Sequence, residues 1–353
     1  MSGCACTAAG GGHPDRGFVP VRPDWALADW WGALAVRFNV GRMDYRVEPG
    51  LYAVGHPDSA APVFVTANYK LSFDHVRRAL RGLEAWLLVL DTHGVNVWCA
   101  AGKGTFSTEE LNRQIEATRL ANVVSHRRLI LPQLGAVGVA AHAVSQATGF
   151  TVVYGPVRAE DIPAWLNAGR RKDRAMRTVR FSLLDRLILV PVEIVNGRTH
   201  LLILAAVALV LALIRVRGIN AMLVGSFAGY AVQFLGATFT ACLFVPLLLP
   251  WLPTRSFSIK GATVGLAWTA LMAGFAASRS GSEFWAVFQG GWSLAGSAVL
   301  AGALAAFVGL NFTGATVFTS QSGTMLETKR ALPAIAVAAV GGLLLQIFGA
   351  LWK

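Results

Sequence analysis

The second half of the chain is almost empty of charge: residues 199–353 hold eight Lys or Arg and two Asp or Glu, against 23 and 17 in residues 1–198. A long stretch that apolar has too little polar surface to face water on all sides and reads as membrane-embedded. Thr199–Ile214, Ile259–Ala277, Phe284–Leu310 and Ala331–Trp352 each approach the roughly 17–25 residues that cross a bilayer as a helix. Ile219–Leu252 is too long for one straight span and too short for two, and Pro246, Pro250 and Pro253 break its end. It reads as one span with an irregular continuation. Five crossings would put the C-terminus opposite the water-soluble half, and the loops Leu252–Lys260 and Asn311–Arg330 on the same side as that half.

The formal charge of +12 is densest at Arg170-Arg171-Lys172-Asp173-Arg174, with Arg177, Arg180 and Arg186 following just before the first span. That placement fits the positive-inside rule and attraction to anionic membrane lipid. Nucleic-acid binding would want basic residues interleaved with exposed aromatics, and no nucleic-acid partner is expected. Met1–Pro20 has Gly, Cys and Pro but no apolar core of a signal peptide. The water-soluble half is therefore expected in the cytoplasm, on a multi-pass protein of the cell inner membrane.

Within that half, the patterns alternate between strand and helix. Asp44–Gly55 reads as a strand entering a turn, and Pro62–Thr66 and Trp86–Asp91 as buried strands of a parallel sheet. Ser72–Gly82 reads as a serine-capped helix, and Ser107–Glu110 as a capping box opening a helix to about Val123. Arg128–Pro132 and Phe150–Gly155 are further strands, with helices at Val137–Thr148 and Glu160–Leu166. Repeated strand–helix units predict an α/β, doubly wound, Rossmann-like sheet followed by an all-α transmembrane domain. The expected domains are a loose, Trp-rich lead-in (1–40), the α/β domain (41–170), a basic juxtamembrane linker (171–198) and the transmembrane helices (199–353).

The segment Asn96-Val97-Trp98-Cys99-Ala100-Ala101-Gly102-Lys103 directly follows the strand ending at Asp91. Asn96 is a competent N-cap for a helix from Val97, and Gly102 and Gly104 stop it within about two turns. So short a helix has almost no stability of its own, and it sits where open α/β sheets bind ligands. Cys99 lies in its first turn with Lys103 four residues on, which favours thiolate character and puts both side chains on one face. Ala100 and Ala101 would leave room for a flat ligand across the helix. Asp91-Thr92-His93-Gly94 partly matches a D-x-H-x-x-G pattern that can present His93 as a metal ligand, but Asn96 replaces its last glycine.

The same octapeptide resembles the cap-helix signature of the mercury-methylating corrinoid proteins of the HgcA family, a corrinoid iron–sulfur protein-like domain fused to a five-span membrane domain. Val65–Leu71, His126–Gly135, Tyr154–Ala159, Leu249–Pro253 and Asn311–Gly314 extend the resemblance over roughly Leu51–Lys353. It implies a cobalamin-type corrinoid cofactor with the Cys99 thiolate as lower axial cobalt ligand, in a pocket to which Thr66, Asn68, Asn96, Val97, Trp98, Ala100, Ala101, Gly102, Lys103, Gly135 and Gly155 contribute. The implied activity is a corrinoid-dependent methyltransferase: methyl transfer to Hg(II), the methyl coming from a methylated folate or its methyltransferase. The alternative is a membrane-anchored methyl carrier for another acceptor in one-carbon or acetyl-CoA metabolism.

Four cysteines occur, Cys4, Cys6, Cys99 and Cys242, and no C-x-x-C pair. The chain therefore lacks the ligands of an iron–sulfur cluster, and the resemblance implies a separate ferredoxin-like electron donor with two [4Fe-4S] clusters (HgcB-type). Cys4 and Cys6 with His13 form a candidate soft-metal site.

Overall fold

The computed structural model describes residues 17–279, 281–312, 318–319 and 321–352. Cys4, Cys6 and His13 lie outside the described residues, as does part of the loop expected at Asn311–Arg330. The chain divides into two compact units, Met1–Arg180 and Phe181–Lys353.

The first unit is built on strands β1 (Val19–Val21), β2 (Gly50–Val54), β3 (Val63–Ala67), β4 (Ala85–Leu90), β5 (Arg128–Leu131) and β6 (Thr151–Tyr154). They form one six-stranded sheet in the order β1-β2-β4-β3-β5-β6. Strands β3 to β6 run parallel to their neighbours, whereas β2 pairs antiparallel with β4 and carries β1 parallel on its outer edge. Its helices are α1 (Leu27–Arg37), α2 (Lys70–Ala79), α3 (Val97–Lys103), α4 (Thr108–Ala117), α5 (Leu120–Val123), α6 (Ala141–Thr148) and α7 (Ile162–Asn167).

Strand β4 is apolar throughout because both of its faces are covered. Trp86, Leu88 and Leu90 enter one core with Leu111, Ile115 and Val144, while Ala85, Leu87 and Val89 enter the other with Phe73, Leu80, Ile162 and Trp165. This is the doubly wound α/β arrangement. The parallel strands stand in the order β4-β3-β5-β6, so consecutive connections leave β3 to opposite sides and the carboxyl ends of β3 and β5 diverge at a switch point.

Several local expectations change. Helix α2 starts at Lys70, not at a Ser72 cap, because Lys70 N–H bonds the Tyr45 carbonyl and its ammonium is drawn into an ion cluster. Ser107 does cap α4, its Oγ accepting the Glu110 N–H, but the Glu110 carboxylate accepts the Asp91 N–H rather than closing a capping box. Arg119, at φ 50°, breaks α4 from α5. Residues 133–137 form a separate 3-10 turn before α6. The expected loose lead-in is ordered from residue 17: β1 joins the sheet, and α1 is pinned to α2.

That pin is four mutually neutralising charges. Lys70 Nζ lies 2.5 Å from Asp29 Oδ1 and 2.6 Å from Asp74 Oδ2. Arg77 Nε donates to Asp74 (2.8 Å) and one terminal nitrogen to Asp29 (2.7 Å), while the other reaches the Arg22 and Asp24 carbonyls. Burial pushes the Asp29 carboxyl up, but hydrogen bonds from Lys70, the Ala26 N–H and Arg77 together hold it below the ordinary carboxylate range.

The second unit opens with α8 (Leu183–Leu187) and α9 (Val190–Asn196), then α10 (Arg198–Val216), α11 (Leu223–Leu248), α12 (Phe257–Ala277), α13 (Glu283–Ala286), α14 (Gly291–Asn311) and α15 (Gln321–Leu351). The division between units thus falls inside the stretch read as a linker: Arg170–Arg180 belongs to the first, and the Ser182-capped α8 begins the second. Arg186 donates to the Pro246 and Leu247 carbonyls, satisfying groups at the end of α11.

Five of these helices are long and apolar enough to cross a membrane, making this a multi-pass membrane protein. The span expected at Phe284–Leu310 is interrupted by Gly290, at φ 81°, so the crossing helix is α14 alone. Without a hydrophobic drive between helices in lipid, close packing needs small residues. A Cβ at Gly261 or Gly265 would fall 2.0 or 2.2 Å from the α14 carbonyls of Ala305 and Ala301. Buried amides add polar ties: Gln233 Nε2 donates to Thr269 Oγ1 (2.7 Å) and Gln346 Nε2 to Ser297 Oγ (2.7 Å).

Asp74→Ala leaves Lys70 and Arg77 short of a counter-charge and should cost about 3–5 kcal/mol, read as a lower urea midpoint of the full chain. Because Asp29 is depressed in the folded state, its contribution is present above the unfolded carboxyl value near about 3.9 and is lost as pH falls below it. Wild type should lose thermal stability more steeply below about pH 4 than Asp29→Asn.

Candidate functional site

The turn joining β4 to α3 is held by one amide. Asn68, 2% exposed at the end of β3, accepts the Thr92 N–H (3.1 Å) and Gly94 N–H (3.0 Å) on Oδ1 and donates from Nδ2 to Asp91 Oδ1 (3.0 Å). Asp91 Oδ1 also accepts the His93 N–H. His93 and Gly94 are consecutive left-handed residues, φ 56° and 74°, which reverse the chain. The His93 side chain is exposed, with Nδ1 3.5 Å from Asp91. Asn68 therefore clamps the loop beneath the short helix instead of lining a pocket.

Helix α3 then starts as its sequence dictates. Asn96 Oδ1 accepts the Cys99 N–H at 3.0 Å, and Gly104, at φ 78°, ends the helix; Gly102 lies inside it. Cys99 is an exposed free cysteine. Gly102 and Lys103 are exposed on the same short helix.

Ala100 and Ala101 do not offer an open face, contrary to the expectation of a flat ligand lying over them. They are 0% and 6% exposed and belong to the core with Phe106 and Leu111. Their small size serves a close approach to the 133–137 turn. A Cβ on Gly138 would fall 2.0 Å from the Phe106 carbonyl oxygen and 3.1 Å from the Ala101 Cα. Gly135 has a packing role too, since a Cβ there would meet the Phe106 ring at 2.6 Å.

Beside α3 lies a cavity of about 320 Å³ at the carboxyl ends of β3, β5 and β6, where the strand order reverses. Of the expected residues, Thr66, Asn96, Val97, Trp98 and Gly155 line it; Asn68, Cys99, Ala100, Ala101, Gly102, Lys103 and Gly135 do not. Cys99 thus stands on the outer side of the helix whose first turn walls the cavity. Lys172 Nζ donates to the Gly155 carbonyl (3.2 Å) and to Gln133 Oε1, tying two loops at the rim.

Sequence reasoning missed the α2 wall, formed by Ser72, His75 and Val76. Their i, i+3, i+4 spacing was the available signal. His75 packs edge-on against Trp25, and burial holds its imidazole below the ordinary histidine value, with weaker opposing effects from Glu160 and Asp74. It faces the cavity as a neutral ring at pH 7. Among the described residues, no group of three or more His, Cys, Asp or Glu could hold a metal ion.

Residues 34–166 match the family model of the CO dehydrogenase/acetyl-CoA synthase delta subunit, CdhD. The chain is 36% identical over 141 residues to the acetyl-CoA decarbonylase/synthase complex subunit gamma of Archaeoglobus fulgidus, covering 38% of this chain and 29% of that one. The Methanopyrus kandleri subunit is 36% identical over 144 residues, 40% of this chain and 31% of that one. The corrinoid/iron-sulfur protein large subunit of Moorella thermoacetica is 33% identical over 125 residues, 35% and 28%. The chain thus spans less than a third of the length of these relatives. The family match contains β2 to β6 and α3, and so the whole cavity.

Gly138→Ala forces a side chain into backbone and should destabilise the first unit by about 1–3 kcal/mol, measured as a lower urea midpoint. For His75, the unfolded chain binds a proton that the folded state resists, so stability falls as pH drops through about 6.5. His75→Phe should flatten the stability profile between about pH 7 and 5; an unchanged slope would separate the cavity from that titration.

Proposed function

We propose that the α/β unit binds a cobalamin-type corrinoid, with Cys99 as lower axial ligand to its cobalt, and that the chain is a membrane-anchored corrinoid methyl carrier whose acceptor is Hg(II). The observation that carries this reading is the exposed thiol of Cys99 on a capped short helix at the carboxyl edge of a parallel sheet. That helix lies in a segment similar to subunits of corrinoid/iron–sulfur proteins.

The residues fit such a group. A soft thiolate donor suits cobalt, and Cys99 is accessible without any unfolding. Asn96 holds the Cys99 backbone, and buried Ala100 and Ala101 fix the helix from behind, so the sulfur is presented from a rigid support. Lys103, one turn on, is likewise exposed on this short helix. Trp98, 43% exposed, offers an apolar surface beside it. When bound, the corrinoid supplies a cobalt able to carry a methyl group. A thiolate donates charge strongly, which suits delivery to a soft electrophile such as Hg(II).

In the same reading, the methyl comes from a methylated folate or its methyltransferase, and electrons from a separate HgcB-type ferredoxin-like protein with two [4Fe-4S] clusters. The water-soluble unit lies on the cytoplasmic side of the inner membrane. A second acceptor, in one-carbon or acetyl-CoA chemistry, is favoured by the names of the curated relatives, which are acetyl-CoA decarbonylase/synthase subunits.

The test uses the full chain in detergent, reconstituted with a corrinoid, beside Cys99→Ala. Wild type should retain cobalt with a base-off, sulfur-ligated visible spectrum. The variant should lose that spectrum and all methylmercury formation while unfolding at the same urea concentration. A spectrum unchanged by the substitution would remove Cys99 as ligand, and absence of cobalt from both would remove the corrinoid. Cobalt retention without methyl transfer to Hg(II) would shift the acceptor to the one-carbon alternative.

A further inference from the structure

Helix α1 is apolar on two opposite sides. Its inner side is accounted for: Ala33 and Val36 are 5% and 1% exposed, and Asp29 enters the charge cluster with Lys70 and Arg77. On its outer side Trp30 meets Trp25 edge-on, ring centroids 4.7 Å apart, and the Arg78 guanidinium at 5.1 Å, yet much of that side is exposed. Leu27, Trp30, Trp31, Leu34 and Phe38 are 73, 50, 64, 45 and 45% exposed. At about 100° per residue they fall within an arc of roughly 100°, the width of the apolar stripe of an amphipathic helix. Val40 and Met43, 64% and 73% exposed, follow the helix in sequence. Scattered exposed apolar residues need no explanation, but a contiguous stripe containing two tryptophans does.

We propose that this face of α1 docks into the headgroup–acyl boundary of an anionic membrane, giving the α/β unit a lipid contact separate from the spanning helices. Three observations select lipid as the occupant. The chain is itself a multi-pass membrane protein, so a bilayer is tethered to the unit at high effective concentration. The stripe has the chemistry of an interfacial helix, Trp, Phe and Leu on one face with Arg37 beside it and Arg42 and Arg46 just beyond. The same unit ends in Arg170, Arg171, Arg174, Arg177 and Arg180, a second basic element suited to anionic headgroups. The buried charge cluster fixes α1 from behind, so docking needs no rearrangement within the first unit.

The full chain is reconstituted in phosphatidylcholine vesicles with about a quarter phosphatidylglycerol and a trace of diazirine-bearing phospholipid, irradiated, and digested with trypsin. Arg22 precedes Pro23, so cleavage after Arg16 and Arg37 releases Leu27, Trp30, Trp31 and Leu34 together in one peptide, Gly17–Arg37. Lipid adducts are expected on this peptide as well as on the spans. The exposed-face double variant Trp31→Glu with Leu34→Glu should lower them about tenfold, leaving adducts on the spans and the urea midpoint unchanged.

Adducts confined to the spans, or equally abundant on the double variant, would overturn the proposal. So would chemical cross-links joining Gly17–Arg37 to the same peptide of a second copy, which would assign the face to self-association. None of these readouts involves cobalt, so failure here and failure of the corrinoid reading are distinguishable.

Discussion

Four charges compensate one another between α1 and α2, and much of the first unit is placed by that compensation. Taking Lys70, Asp74, Arg77 and Asp29 out of water is affordable only as a set, each ion satisfied by the others and by backbone carbonyls. The set fixes where α2 begins and therefore which of its side chains, Ser72, His75 and Val76, face the strand ends. It also sets the angle at which α1 presents its tryptophans. The cavity wall and the outer stripe are thus two consequences of one electrostatic arrangement.

Much of the fold was legible because its signals are local. The run Trp86–Leu90 reads as a strand buried on both faces, and both cores indeed close on it. Asn96, Ser107 and Gly104 mark helix ends by chemistry that does not depend on distant contacts, and each acts as an end. The misread boundaries have non-local causes. Lys70 outcompetes the Ser72 cap through Asp29, distant in sequence, and Glu110 abandons its capping box for the Asp91 N–H.

The site was legible as a helix carrying a thiol, less so as a cavity. The octapeptide marks α3, but the direction in which each of its side chains points depends on Phe106, just past the helix, and on Gly138, which approaches from further along the chain. Hence Ala100 and Ala101, expected to leave room for a flat ligand across the helix, are interior residues. Asn68 sits at the expected strand end, yet its amide holds a turn. In the second unit the number of crossings follows from composition alone, whereas the contacts that seat them, such as Gly261 and Gly265 on α14, depend on pairing.

The backing of α3 has a consequence for how chemistry and folding are divided on this scaffold. The helix is attached through its inner side by Ala100 and Ala101 and at its start by the side chain of Asn96, while the thiol of Cys99 projects away from all of these. Position 99 is structurally idle. A sheet that stabilises the support without using the side chain at position 99 can exchange that side chain for another, thiol for imidazole or hydroxyl, and keep its shape. The chemistry offered at that position is then open to selection one residue at a time, with folding left out of the contest.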